Sequence, residues 1–289
     1  MNNSKGNTSS ITFFLDRPHG KLAYDLAGSG PLVVASPGLG DLRQTYRFVV
    51  PVLVAAGYRV ATVDLRGHGG SSTDWPSYAE TAIADDLVAL VEHLSAGGER
   101  AVLIGNSYSG AAAVVAAARR PDLVAGLVLS GAFVRTVPQS AMQRVATWVV
   151  SNTPLGRRVW TSYVPSLYPG AKPADFPAYH AALKANLAEP GRFAAVAAMA
   201  RADHDAAQAA LPQVTAPTLV VMGTDDPDFP DPVAEARLTV EGLAGPADVV
   251  LAEGAGHYPQ AEQPGVVAPA LLAFLQRVLP VTRPAEEVR

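Results

Sequence analysis

A serine stands at the centre of residues 105–109, which read Gly-Asn-Ser-Tyr-Ser. An apolar run precedes this motif and an alanine-rich stretch follows it. That order predicts a buried strand that turns sharply into a helix with Ser107 at the apex. Small neighbours let the backbone turn there, and the hydroxyl then stands above the sheet edge as a nucleophile. An ordinary turn with a capping serine is the alternative, so the interpretation depends on partners elsewhere in the chain.

A serine nucleophile needs a base within hydrogen-bond reach, and the base needs an orienting acid. Two later segments supply these residue types, each after a run that predicts a strand. The apolar run within residues 216–223 is followed after one threonine by Asp225 and Asp226, and residues 249–252 are followed by His257. Sites in open parallel sheets form outside the carboxyl ends of strands, so the three loops can converge. The order serine, acid, histidine therefore predicts nucleophilic catalysis at Ser107 with His257 as the general base.

With these motifs the chain resembles the α/β-hydrolase superfamily over nearly all of its length. Residues 64–71 resemble the family's Asp-x-Arg-Gly-x-Gly-x-Ser loop, and residues 36–40 lie where the family carries its His-Gly oxyanion loop. Residues 262–264 match the usual start of the final helix. The implied fold class is α/β, with a mostly parallel central sheet flanked by helices and an inserted helical cap.

The resemblance implies that Asp226 is the acid that orients His257. The family places this acid in a Gly-x-x-Asp pattern after the strand, and counting from Gly223 gives Asp226. Three other aspartates of the same loop remain open as alternatives: Asp225, Asp228 and Asp231.

The resemblance also implies an oxyanion hole made of the backbone N–H groups of Leu39 and Tyr108. The chain departs from the family pattern at two nearby positions. Pro37 stands where a histidine usually precedes the oxyanion glycine, and there we expect a changed hydrogen bond rather than lost catalysis. Ser109 replaces the second glycine of the turn. The resulting Gly-x-Ser-x-Ser motif is similar to that of a branch that holds small-molecule signal receptors and stress-signalling hydrolases.

Two clusters of polar residues could imitate further sites. For the loop that holds Asp64, Arg66, His68 and Ser71, a structural role is favoured, because an acid and an arginine in a tight glycine-rich loop usually fix a turn through charge-assisted hydrogen bonds. His204 lies between two aspartates, and we expect a solvated stretch there rather than a metal site, since no further ligand lies at close spacing. No metal and no cofactor are expected.

Composition restricts the class of protein. The chain has 289 residues, a net charge of -4 and an apolar fraction of 49%, which favours a large buried core. It lacks the basic cluster of nucleic-acid binders, and without cysteine it has no disulfide, thiol nucleophile or cysteine metal site. Residues 1–10 are polar and indicate a frayed tail rather than a signal peptide. We expect no membrane span and a cytoplasmic location; the oligomeric state is left open.

Alternation of strands and helices predicts the core domain over residues 1–132 and 214–289. Between these parts the alternation stops. Residues 133–213 contain many prolines and no clear strand, and we interpret them as a helical cap. Six aromatic residues of this segment could pack on one another or line an apolar pocket above Ser107: Trp148, Trp160, Tyr163, Tyr168, Phe176 and Tyr179.

The leading hypothesis is a serine hydrolase that cleaves carboxylic esters, or related acyl bonds, of small to medium apolar substrates through an acyl-serine. A serine nucleophile argues against the epoxide hydrolase and haloalkane dehalogenase branches, which use aspartate at this position. A ligand-sensing protein with slow turnover is an alternative that Ser109 motivates. A carbon–carbon bond hydrolase or a perhydrolase could use the same triad, because reaction choice depends on pocket geometry.

Overall fold

A computed structural model describes residues 11–95, 97–138 and 140–281 of the chain. The polar tail predicted for residues 1–10 lies outside the described residues. Within them, eight strands form one sheet in the order β1-β2-β4-β3-β5-β6-β7-β8. Only the pairs β1–β2 and β2–β4 are antiparallel. The strands are β1 Thr12–Arg17, β2 Gly20–Ala27, β3 Leu32–Ser36, β4 Arg59–Val63, β5 Ala101–Asn106, β6 Val124–Ser130, β7 Thr218–Gly223 and β8 Ala247–Ala252.

Helices on both faces cover this sheet, as the alternating pattern predicts. The helices are α1 Val50–Ala55, α2 Glu80–Leu94, α3 Tyr108–Arg119, α4 Ala141–Asn152, α5 Gly156–Tyr163, α6 Phe176–Ala188, α7 Arg192–Met199, α8 Asp205–Ala210, α9 Pro232–Gly242, α10 Pro259–Glu262 and α11 Pro264–Val278. Among the described residues, no helix is long and apolar enough to cross a membrane.

The period of two along the strands divides the core into two layers. In β5, Leu103 packs in the layer that contains α2 and α3. Its neighbours Val102 and Ile104 pack in the opposite layer with α1 and α11. Both faces are apolar, so β5 is buried along its whole length. A strand of this kind holds the residue that follows it in a fixed position at the sheet edge.

Helices α4–α8 and two short 3-10 turns occupy the chain between β6 and β7. We call residues 133–213 the helical segment; no strand occurs among its described residues. A third apolar cluster joins it to the core, because Leu167, Tyr168 and Tyr179 of the segment pack with Tyr258 and Ala261 beyond β8.

The prediction of a solvated stretch around His204 is wrong in part. His204 is half-buried and lies 3.2 Å from Glu80.

Candidate active site

Ser107 lies between the last residue of β5 and the first residue of α3. Its φ of 56° and ψ of -124° make it the only residue other than glycine with a positive φ in the described part of the chain. A non-glycine residue in such a conformation is strained, and the surrounding structure must hold it there. The turn at Ser107 is therefore the sharp strand-to-helix elbow that the sequence predicts.

The second departure from the family motif, Ser109, has a defined structural role. Its hydroxyl donates a hydrogen bond of 2.7 Å to the carbonyl of Ser36 and accepts one of 3.0 Å from the N–H of Asn106. The phenol of Tyr46 donates to the same Ser36 carbonyl at 2.7 Å. Ser109 thus ties the elbow to the end of β3, where the predicted oxyanion loop begins.

His257 and Asp226 form a buried pair at the same edge of the sheet. Nδ1 of His257 lies 2.8 Å from Oδ2 of Asp226, and each residue is only 2% exposed. Gly131 at the end of β6 permits this approach, since a Cβ there would lie 3.3 Å from each of these two atoms. A proton on Nδ1 is donated to the carboxylate, which leaves Nε2 free to accept one.

The other aspartates of this loop have different surroundings. Asp225 is exposed and accepts a bond from the neighbouring hydroxyl of Thr224. Asp231 caps α9 and accepts from the N–H of Ala234 at 2.9 Å. Oδ2 of Asp228, however, lies 3.7 Å from Nδ1 of His257. The shortest contact to the histidine is that of Asp226, and Asp228 adds a second carboxylate nearby.

The charges of these two aspartates act on the histidine ring. Burial alone would lower the pKa of His257, because it disfavours the charged ring. The negative charges of Asp226 and Asp228 and the hydrogen bond to Asp226 outweigh burial and raise the pKa of His257 to about 9.

Asp226, Asp228 and His257 also bring potential metal-ligand atoms within 4.8 Å of one another. Nδ1 of His257 already contacts the carboxylate of Asp226, and a ring held in this way can transfer a proton at Nε2.

The backbone of His257 is held from two sides. Its N–H donates to the carbonyl of Leu167 in the helical segment at 2.9 Å. Its carbonyl accepts a bond of 3.1 Å from the side-chain amide of Asn106, the residue before the elbow serine. Within the described chain no hydrogen bond joins the Ser107 hydroxyl to the histidine ring. Such contacts are often long without substrate and tighten when it binds.

Two backbone amides stand near the serine without a protein acceptor. The amides of Leu39 and Tyr108 donate no hydrogen bond to any residue that the structure describes. Tyr108 is the first residue of α3, so its N–H has no partner within the helix. The loop that holds Leu39 passes close to the elbow at Gly38, because a Cβ at Gly38 would lie 2.8 Å from Cβ of Ser107. The two amides are those that the sequence predicts for an oxyanion hole.

His68 supports this loop, although sequence reasoning assigned it only to a structural turn. Nε2 of His68 accepts a bond of 2.9 Å from the N–H of Gly40, and Nδ1 lies 3.0 Å from the carbonyl of Arg66. An N–H can only donate and a carbonyl can only accept, so the ring is neutral with its proton on Nδ1. Burial lowers the pKa of His68 to about 4, which keeps it neutral. This bond supports the loop that begins with Pro37.

The six aromatic residues of the helical segment separate into different roles. Trp160 lies against Gly40 of the loop, and the phenol of Tyr163 donates to Asp228. Tyr168, Phe176 and Tyr179 belong to the apolar cluster that joins the segment to the core. Trp148 faces away and is 60% exposed.

Sequence reasoning missed two aromatic residues beside His257. The rings of Phe133 and Phe229 stack with centroids 4.6 Å apart, and Phe133 lies 5.9 Å from the His257 ring. A sequence signal for both was available: Phe133 comes shortly after β6, and Phe229 comes three residues after Asp226. Ser107 itself is 7% exposed.

The chain is similar in sequence and structure to known hydrolases. The sequence model of the alpha/beta hydrolase family matches residues 32–270. A 2-(acetamidomethylene)succinate hydrolase of Mesorhizobium japonicum is 28% identical over 257 residues, which cover 86% of this chain and 89% of that protein. A probable esterase of Oryza sativa subsp. japonica is 25% identical over 268 residues, 88% of this chain and 94% of the relative. An esterase structure from Thermogutta terrifontis superposes with a TM-score of 0.74 at 27% identity, covering 93% and 99% of the two chains.

Proposed function

The chain belongs to the α/β-hydrolase family, and we propose that it is a serine hydrolase that cleaves carboxylic esters, or related acyl bonds, of small to medium apolar substrates. The observation that carries the proposal is the strained elbow at Ser107, at the same sheet edge as the His257–Asp226 pair. Strain of this kind is retained where it serves a function. The hydrolases and esterases among its relatives support the same reaction class.

In the proposed acylation, Ser107 Oγ attacks the carbonyl carbon of the ester while Nε2 of His257 takes the hydroxyl proton. Asp226 keeps the other ring proton on Nδ1 and stabilises the imidazolium. The negative oxygen of the tetrahedral intermediate accepts bonds from the amides of Leu39 and Tyr108. The imidazolium then protonates the leaving alcohol, and the acyl group remains on Ser107.

Deacylation repeats these steps with water. Nε2 of His257 removes a proton from water as the oxygen attacks the acyl carbon, and the same amides receive the negative charge. When the intermediate collapses, the proton returns to Ser107 Oγ and a carboxylic acid leaves. Every proton in this cycle passes through His257, so its pKa determines the pH at which the enzyme works.

We propose that the helical segment, residues 133–213, acts as a cap over the site. Trp160, Tyr163 and the backbone of Leu167 contact the oxyanion loop, the acid loop and His257 respectively. Rings of Phe133 and Phe229 add apolar surface beside the base. Pockets with apolar walls and few polar groups favour substrates that are largely apolar.

A series of p-nitrophenyl esters from acetate to decanoate tests this function, with the wild type and Ser107→Ala measured side by side. We expect Ser107→Ala to lower kcat by roughly four to six orders of magnitude, as nucleophile deletions do in triad enzymes. A circular dichroism spectrum matching the wild type would show that the fold is intact. Residual activity within about tenfold of the wild type would refute Ser107 as nucleophile.

A ligand-sensing protein with slow turnover is the second candidate. The Gly-x-Ser-x-Ser elbow and the burial of Ser107 and His257 favour it. It predicts little hydrolysis by a well-folded wild type, together with ligand-dependent protection of α5 and α6 from hydrogen exchange. Carbon–carbon bond hydrolysis with the same triad would also leave the ester series uncleaved, but without that protection by a signal ligand.

A further inference from the structure

Helix α4, the first helix of the helical segment, presents apolar side chains to solvent. Met142 is 81% exposed, Val145 is 62% exposed and Trp148 is 60% exposed. They recur every third residue and so follow one another along the helix surface. Leu155, which comes just before α5, is 56% exposed. We call these four residues the apolar stripe.

Helix α4 is well anchored on its inner side, so the apolar stripe is not the result of a helix without packing. Val150 and Ser151 are buried, and Arg201 donates to the carbonyl of Ser151 at 2.7 Å. Ser140 and Gln143 form a complete capping box at the helix start. A firmly placed helix that keeps a tryptophan and a methionine in water is a recognisable docking surface.

The charge around the stripe has one sign. Residues 134–174 contain no aspartate or glutamate, in a chain whose net charge is -4. Arg144 stands between Met142 and Val145 in the sequence, and the exposed Arg157 and Arg158 follow Leu155 after one glycine. Three acids from elsewhere in the chain reach into this region and are engaged there: Glu235 pairs with Arg135, Asp228 accepts from the Tyr163 phenol and Glu262 accepts from the N–H of Gly170.

We propose that the apolar stripe and its flanking arginines dock the protein on an anionic lipid surface. An amphipathic helix with tryptophan and aliphatic residues on one side and arginines beside them is typical of helices that lie in a lipid interface. The arginines are attracted to anionic headgroups, and the apolar side chains enter the boundary below them. This peripheral mode needs no spanning helix.

The charge pattern disfavours a second copy of the chain as the occupant. A two-fold dimer places the same patch against itself. Arg144, Arg157 and Arg158 would then come close to the same arginines of the second copy, and like charges brought together across an interface oppose association. A lipid surface of opposite sign removes that repulsion.

The test uses the full chain and vesicles of phosphatidylcholine with or without phosphatidylglycerol. Flotation measures the bound fraction. A change in the tryptophan emission reports entry of the exposed Trp148 into an apolar environment, and Trp148→Ser identifies its share among the three tryptophans. We expect binding only to the vesicles that contain phosphatidylglycerol, with a blue shift of the emission. Binding should weaken as salt is raised, because salt screens exposed charges.

Two variants separate the two parts of the surface. The double variant Arg157→Glu and Arg158→Glu should weaken binding roughly tenfold or more, since each cation near an anionic surface contributes to the attraction. Trp148→Ser should lose the blue shift and bind several-fold more weakly. Arg237→Glu and Leu238→Ser on α9 are matched controls, because both residues are exposed and lie on a helix outside the helical segment. They should bind as the wild type does.

Three results would overturn the proposal. One is absence of binding to either vesicle, and another is equal binding to both. The third is a wild-type dimer in analytical ultracentrifugation that Trp148→Ser converts to a monomer, which would make a second copy the occupant. Hydrolysis of a soluble ester, measured without vesicles, reports the proposed function separately. A failure of docking is therefore distinguishable from a failure of catalysis.

Discussion

The side-chain amide of Asn106 donates a hydrogen bond of 3.1 Å to the backbone carbonyl of His257, a residue 151 positions further along the chain. The same amide donates to the carbonyl of Ser130 at 2.9 Å. Asn106 directly precedes Ser107, so one carboxamide connects the elbow, the end of β6 and the histidine loop. Asn106 is therefore a positioning residue for the proposed base and nucleophile.

Replacement of Asn106 by leucine should lower kcat by about 10- to 100-fold and leave KM nearly unchanged. The reason is that the buried carbonyl of His257 loses its donor from Asn106, which costs about 1–3 kcal/mol, and His257 is no longer held against the elbow. The carbonyl of Ser130 keeps the N–H of Ser107 as a donor. Steady-state kinetics on a p-nitrophenyl ester measures the effect, with thermal melting as a fold check. Asn152→Leu, an exposed asparagine of α4, is the control. Unchanged kcat in a folded Asn106→Leu variant would remove its positioning role.

The two aspartates near His257 should differ sharply in their effect on rate. Asp226→Asn should lower kcat by roughly 10⁴, as loss of the orienting carboxylate does in triads. Asp228→Asn should lower it by less than about tenfold, because Asp228 Oδ2 is 3.7 Å from Nδ1 and the close contact of Asp226 remains. Single-turnover kinetics of both variants decides the assignment. The reverse order would make Asp228 the catalytic acid.

The rate should depend on pH through His257, which must be neutral to act as base. Its raised pKa of about 9 predicts that kcat/KM rises with pH up to that region. Asp228→Asn removes one of the charges that raise this pKa, so the rising limb should move to lower pH. A pH–rate profile of wild type and variant measures the shift, and Asp225→Asn, an exposed acid of the same loop, is the control. An unmoved limb would contradict the influence of Asp228.

The same raised pKa has a consequence for stability. Protonated His257 gains stability from its acids in the folded state, and this gain is fully present below the unfolded pKa of about 6.5. It is lost as pH rises through about 9. Chemical denaturation between these pH values should show the loss, and His257→Gln should abolish this part of the dependence. A dependence that persists in His257→Gln would assign it to another group.

His68→Leu should reduce kcat by roughly tenfold and destabilise the fold by about 1–3 kcal/mol, because the buried N–H of Gly40 loses its acceptor. His68→Asn can accept from Gly40 and should recover part of the loss. The neutral ring also stabilises the wild type above about pH 6.5. That contribution should decline as pH falls towards the folded pKa of about 4. Equal kcat in both variants would show that the loop does not need this bond.

The fold was predictable because its signals are local. β-branched runs such as residues 102–104 and 218–221 alternate with helical patterns, and that alternation alone favours a parallel sheet covered on both faces. The position of the serine elbow follows in the same way, since a strand, a small residue and a helix in direct succession leave one residue at the turn.

The partners of each group were harder to predict because they come from distant parts of the chain. Sequence spacing alone left four aspartates as candidate acids, and Asp226 is distinguished by its 2.8 Å contact to His257. No local sequence pattern predicts the contact of His68 with Gly40 or that of Asn106 with His257. Each depends on which loops the strand order brings to one edge.

The sequence by itself determined the order of the candidate catalytic residues along the chain: a serine, then an acid, then a histidine, each after an apolar run. It did so because hydrophobic periodicity and small residues at a turn act over a few neighbouring residues. Only the tertiary structure decided which acid reaches the histidine, which aromatic ring contacts the histidine and which face of α4 meets solvent. These depend on distances between segments far apart in the chain, and packing of the whole core sets those distances.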